Sequence, residues 1–190
     1  VYDEVRYEGN GPRRWGQLSG EEVVLGFWNG TVAGTYVGHG EVIKNWSANG
    51  GELHGQSVPR LAFLKKILAD SPRAGIEPID KWYERRMGGQ PGDYYLMYFG
   101  EETPTNWEFR LYKRGVAAGM RFKVEVIDTW NMTVTPVEGE FVTKKKDDYD
   151  FVDAQGRSVP LPGKPYIALR MINVGGTTNR PDPNAFIDPN

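Results

Sequence analysis

Residues 107–112 read Trp-Glu-Phe-Arg-Leu-Tyr, so that Trp107, Phe109 and Leu111 alternate with Glu108 and Arg110. A period of two is the pattern of a strand with one buried face. Working outward, short runs rich in Tyr, Val, Ile and Phe recur between turn residues from Gly88 onward, with no helical period. Tyr94 to Phe99, Phe122 to Thr129, Met132 to Val137 and Tyr166 to Ile172 are the clearest, and each predicts a strand. Their succession over residues 88–174 predicts an antiparallel β-sandwich.

Toward the N-terminus the pattern changes. Ser19 and Glu22 have capping-box spacing, and Val23, Val24, Phe27, Trp28 and Val32 share one helical face until Gly34, which predicts a helix over 20–33. Thr35 to Val37 is β-prone. Ser57 is placed to cap a second helix carrying the stripe Leu61, Leu64 and Leu68, closed by Pro72. Val1-Tyr2 reads as the end of a strand that delivers Asp3 and Glu4 into a Gly- and Pro-containing loop. The start thus reads as lying inside a fold. The expected organisation is βα units over 1–71, a linker over 72–87, the sandwich over 88–174, and an extended tail over 175–190 containing Pro181, Pro183 and Pro189.

Charge and composition narrow the chemistry. With 23 basic against 25 acidic residues, and Lys144 to Lys146 followed by Asp147 and Asp148, there is no field to hold a phosphate backbone, so nucleic acid is not an expected partner. No apolar run approaches the roughly 20 residues of a membrane span, and no membrane association is expected. The absence of cysteine removes thiolate catalysis and Cys-based zinc sites, and two histidines leave little for a His-rich one. No cofactor or metal is expected. The compartment is left open, with a secreted or periplasmic setting preferred over a cytoplasmic one.

In parallel βα architectures functional side chains follow the C-terminal ends of strands, where Asp3, Glu4 and Glu41 fall. Two carboxylates flanking a bond are the recipe for glycoside hydrolysis. Acidic residues also cap strands and loops, so position alone does not decide.

Glu4 with Tyr7, Glu8 and Gly9, then Ala33-Gly34-Thr35-Tyr36 and Gly38-His39, is similar to the ends of strands 7 and 8 in the apiosidase-like glycoside hydrolases of clan A. The resemblance continues through Ser57 to Leu64 and into Leu161 to Ala168. It implies a partial (β/α)8 barrel, its last two βα units, followed by the β-sandwich. It also implies that Glu4 is the nucleophile of a retaining mechanism acting on a carbohydrate substrate, with Tyr7 and Glu8 shaping the site and His39 at a strand-8 position. By the same resemblance the acid/base residue and the N-terminal part of the barrel are expected to lie outside this chain, which alone is expected to be inactive. Asp3 and Val5 stand where Gly and Pro are expected, which leaves the sugar open. Strand alternation admits one of Asp3 and Glu4 to the site, and the resemblance selects Glu4. Glu41 is read as a substrate contact, and Trp15 and Trp46 as aromatic planes for a sugar ring; His54 and Trp130 have structural readings. The competing functions are a non-catalytic carbohydrate-binding module and a purely structural brace.

Overall fold

Tyr94 to Tyr98 form a strand in which every side chain is buried, so both faces of the sheet around it are covered. In this computed structural model the described residues are 2–6, 8–9, 16–38, 55–72, 75–79 and 86–175. The elements run β1 (Tyr2–Glu4), α1 (Gly20–Val32), β2 (Tyr36–Gly38), α2 (Ser57–Ala69), β3 (Glu77–Pro78), β4 (Met87–Gln90), β5 (Tyr94–Tyr98), β6 (Asn106–Glu108) and β7 (Arg110–Tyr112). They continue with β8 (Arg121–Asp128), β9 (Thr133–Pro136), β10 (Phe141–Lys145), β11 (Asp150–Asp153), β12 (Ser158–Pro160) and β13 (Ile167–Asn173).

One nine-stranded sheet dominates, in the order β3-β4-β5-β13-β8-β10-β11-β7, with β9 also paired to β8; its pairings are antiparallel. Local chemistry sets its turns. Between β4 and β5, Pro91 precedes Gly92 at φ +78, and Asp93 N–H donates to Gln90 O at 2.9 Å, as a turn with a positive-φ third residue requires. The sheet curls at β10, whose Phe141 and Val142 pair with β8 while Thr143 to Lys145 pair with β11. The curl brings Phe109, Leu111 and Phe141 onto Tyr95, Met97, Phe122, Leu169 and Met171 in one core. The opposite face, Tyr94, Leu96, Tyr98, Ile127 and Ala168, packs on Val24, Trp28, Val32, Leu64 and Ile67 of the two helices.

This overturns the expectation of a partial (β/α)8 barrel followed by a β-sandwich. The described chain is mostly antiparallel, with two helices, and its parallel pairing between strands is confined to the three-residue β1 and β2. The helices lie on the sheet rather than around a barrel. Alternation in the sequence revealed strands but not how they divide into sheets, and β10 carries the hydrogen bonding around the bend instead of ending one layer. The expected strand 107–112 is likewise split at the buried Phe109, β6 pairing with β12 and β7 with β11. The tail 176–190 and the linker residues 73–74 and 80–85 lie outside the described residues.

Candidate active site

β1 and β2 pair in parallel with Tyr2 opposite Tyr36, Asp3 opposite Val37 and Glu4 opposite Gly38. Val5 N–H extends the ladder to Gly38 O at 2.9 Å. Glu4 and Gly38 therefore stand side by side at the C-terminal ends of both strands. α1 connects them, held at its start by the reciprocal Ser19–Glu22 capping box. Glycine lets this helix approach: a Cβ at Gly26 would lie 3.0 Å from a Val5 methyl, and one at Gly30 only 2.3 Å from Val37 Cγ2. Any larger residue at 30 would push α1 off the strand pair.

Beyond β1, Glu8 makes a parallel bridge to Leu18. Its carboxylate accepts from Gln56 N–H at 2.9 Å and Ser57 N–H at 2.8 Å. Glu8 thus supplies the anionic cap of α2, satisfying amides that have no partner inside the helix. Ser57 was the expected cap, but Gln56 holds the cap position and makes no side-chain cap bond. Burial raises the Glu8 carboxyl, but the bonds from Gln56 and Ser57 and the charge of Arg60 outweigh it and leave it below its ordinary 4.5.

Arg60 and Trp130, not assigned to the site from sequence, complete this corner. Arg60 Nε donates to Trp130 O at 2.8 Å, and its guanidinium lies 3.6 Å from the indole centroid. Trp130 is fixed by the turn after β8, where Asp128 Oδ1 accepts from Trp130 N–H at 3.1 Å and Asn131 N–H at 2.8 Å. Burial raises the Asp128 carboxyl; the Asn131 bonds and Lys164 outweigh it, so it stays ionised below its ordinary value. The local signal was an Asp two residues before Trp130, an Asx-turn spacing; that the ring reaches Arg60 was not readable.

Of the expected site residues, the backbone of Glu4 and the side chain of Glu8 are placed, while Tyr7, Trp15, His39, Glu41 and Trp46 lie outside the described residues. A groove of about 480 Å³ between α1, α2 and β2 is lined by Phe27, Thr31, Tyr36, Leu64, Leu68 and Ile76. Its β2 lining is at the start of the strand, not at the Gly38 end beside Glu4. Among the described residues no cluster of His, Asp and Glu is arranged to hold a metal, and no helix is long and apolar enough to cross a membrane.

Residues 82–172 match the family described as "Domain of unknown function (DUF5605)". No curated protein matches the chain. Among solved structures the chain is similar to a protein from Bacteroides vulgatus described as "a putative glycoside hydrolase", with 37% sequence identity and a TM-score of 0.78. The likeness covers 90% of this chain and 35% of that one. The chain therefore spans about a third of that protein's length. The uncovered tenth of this chain is smaller than either the helical layer or the sheet, so the likeness reaches into both.

Proposed function

We propose that this chain is part of a retaining glycoside hydrolase, in which it supplies the nucleophile Glu4 and an accessory sheet, while the acid/base residue comes from outside it. The observation that carries this reading is the parallel register of Glu4 with Gly38, which sets a carboxylate-bearing residue at the C-terminal ends of two adjacent strands, where ligands of parallel sheets bind. The 37% identity to a protein described as "a putative glycoside hydrolase" supports it.

In this reading the Glu4 carboxylate attacks the anomeric carbon as the glycosidic C–O bond breaks, and a carboxylic acid about 5–5.5 Å away gives its proton to the leaving oxygen. Water then attacks the glycosyl ester, its proton going to that second carboxylate, and Glu4 is released ionised. Tyr7 shapes the site beside Glu4. Glu8 shapes the site by holding the following segment to α2. His39 and Glu41 bond sugar hydroxyls, and Trp15 and Trp46 stack on a ring.

In the full-length enzyme, Glu4→Gln should fold and bind substrate while losing nearly all turnover, with azide restoring part of it as a glycosyl azide. Near-normal rates in Glu4→Gln, together with an inactive Asp3→Asn, would move the nucleophile to Asp3. The 190-residue chain by itself should not turn over aryl glycosides, since it holds one of the two carboxylates.

A further inference from the structure

We propose that Trp130 is a positioning residue for the segment that carries Glu4, acting through Arg60 and Glu8; its catalytic consequence rests on Glu4 being the nucleophile. The contacts form a continuous path. The Asp128 turn fixes Trp130 at the end of β8. Its indole carries the Arg60 guanidinium, its carbonyl accepts from Arg60 Nε, and Arg60 Nη1 donates to Gln56 O. The same first turn of α2 gives the Gln56 and Ser57 amides to Glu8. Glu8 is four residues beyond Glu4, and the segment between them is held at Val5 by Gly38 O.

The indole also reaches α1. A Cβ at Gly20 would lie 3.1 Å from Trp130 Cη2, 3.2 Å from Gln56 Cβ and 3.2 Å from Glu8 Oε2. Trp130 therefore lies against the starts of both helices at the point where Glu8 is bound. Arginine suits the centre of this clasp: its planar guanidinium stacks on the ring while its fork donates in two directions, which a lysine ammonium does not do. If the indole is removed, the start of α2 loses its reference to the sheet and the Glu8 carboxylate loses its fixed anchor, leaving the Glu4 segment held by the β1–β2 ladder and the Glu8–Leu18 bridge without its tie to α2. A displacement near 1 Å at a reacting group costs up to about 100-fold in rate.

The test uses the full-length protein with Trp130→Ala, Trp130→Phe and Glu4→Gln, followed by amide hydrogen exchange and by kinetics on a panel of aryl glycosides. In Trp130→Ala, exchange over residues 5–9 should rise about tenfold or more while β5 and β13 stay protected. Its kcat should fall about 10- to 100-fold with little change in KM, and the acidic limb of its pH–rate profile should move upward. Trp130→Phe, which keeps an aromatic face for Arg60, should recover most of both. Unchanged exchange over 5–9 in folded Trp130→Ala would overturn the clasp. Raised exchange with wild-type kcat and pH profile, alongside an inactive Glu4→Gln, would overturn its positioning role. An active Glu4→Gln would overturn the nucleophile reading instead, leaving exchange alone to decide the clasp. If Trp130→Ala does not fold, Arg60→Lys replaces it under the same readouts.

Discussion

Inside the curl of the sheet, Phe109 stacks on Phe141 at 4.9 Å and meets Phe122 at 6.1 Å, with Met97, Leu169 and Met171 closing the same cluster. On the outer face, Trp28 of α1 stands 5.4 Å from Tyr98 at a tilt, and its indole Nε1 and the hydroxyl of Tyr94 find no hydrogen-bond partner. Burial drives both phenols to higher pKa. An unpaired buried polar atom costs about 1–3 kcal/mol. The inner core is therefore held by ring packing and the outer one by apolar area reduced by polar penalties. The helical layer, which carries the parallel strand pair, should open first.

The largest effect tests that ordering. Phe109 is fully buried, and Phe109→Ala should cost about 3–5 kcal/mol and unfold sheet and helices together in denaturant. Leu64→Ala in α2, also buried, should cost about 2–4 kcal/mol but raise hydrogen exchange in α1 and α2 before β5, β8 and β13. Equal loss of protection in both layers would show one cooperative unit instead.

The second effect isolates the bend that makes the curl. Asp153 accepts from Val142 N–H at 3.1 Å, from Arg157 N–H at 3.0 Å and from Arg157 Nε at 2.9 Å, pinning β10 where it passes from β8 to β11. Burial raises this carboxyl, and Arg157 with the backbone amides outweighs that, lowering it from 3.8 to about 2. A depressed pKa gives stability that is present above the unfolded value and is lost as pH falls through the folded one. Asp153→Asn should lower stability by about 2 kcal/mol at neutral pH, and the gap to wild type should shrink between about pH 4 and pH 2. A gap independent of pH would mean that charge is not what holds the bend.

These residues also show what the sequence made legible. The apolar run at 94–99 and the alternation at 107–111 identified strands because both are local consequences of the pleat. The helix 20–33 was readable from Ser19 and Glu22 for the same reason. Phe141–Lys145 was hidden because two of its five residues are lysines, and Met87–Gln90 because two of its four residues are glycine, both poor strand signals. The curl depends on Asp153 reaching Val142 and was not local. At the candidate site, the position of Glu4 at a strand end followed from Val1-Tyr2. The cap of α2 came from Glu8, 49 residues before Ser57, and Arg60 bonds a residue 70 positions away; such pairings leave no mark in spacing.

The smallest effect separates the two faces at adjacent residues. Tyr94 and Tyr95 are neighbours on β5 and point to opposite sides, Tyr94 into the helical interface and Tyr95 into the curl. The Tyr95 hydroxyl accepts from Gly92 N–H at 2.6 Å within the β4–β5 turn, whereas the Tyr94 hydroxyl has no partner. Tyr95→Phe should therefore strand a buried amide and cost about 1–3 kcal/mol. Tyr94→Phe keeps the ring and removes only an unsatisfied oxygen, so it should be neutral or stabilise by up to about 1 kcal/mol. The Arg170 side chain near it also carries an unpaired Nη1, and a buried water bridging that nitrogen to the Tyr94 hydroxyl would reverse the sign. Thermal or urea unfolding of the two variants decides: a loss above about 1 kcal/mol in Tyr94→Phe would establish such a bridge and remove one of the penalties that set the helical layer apart from the inner core.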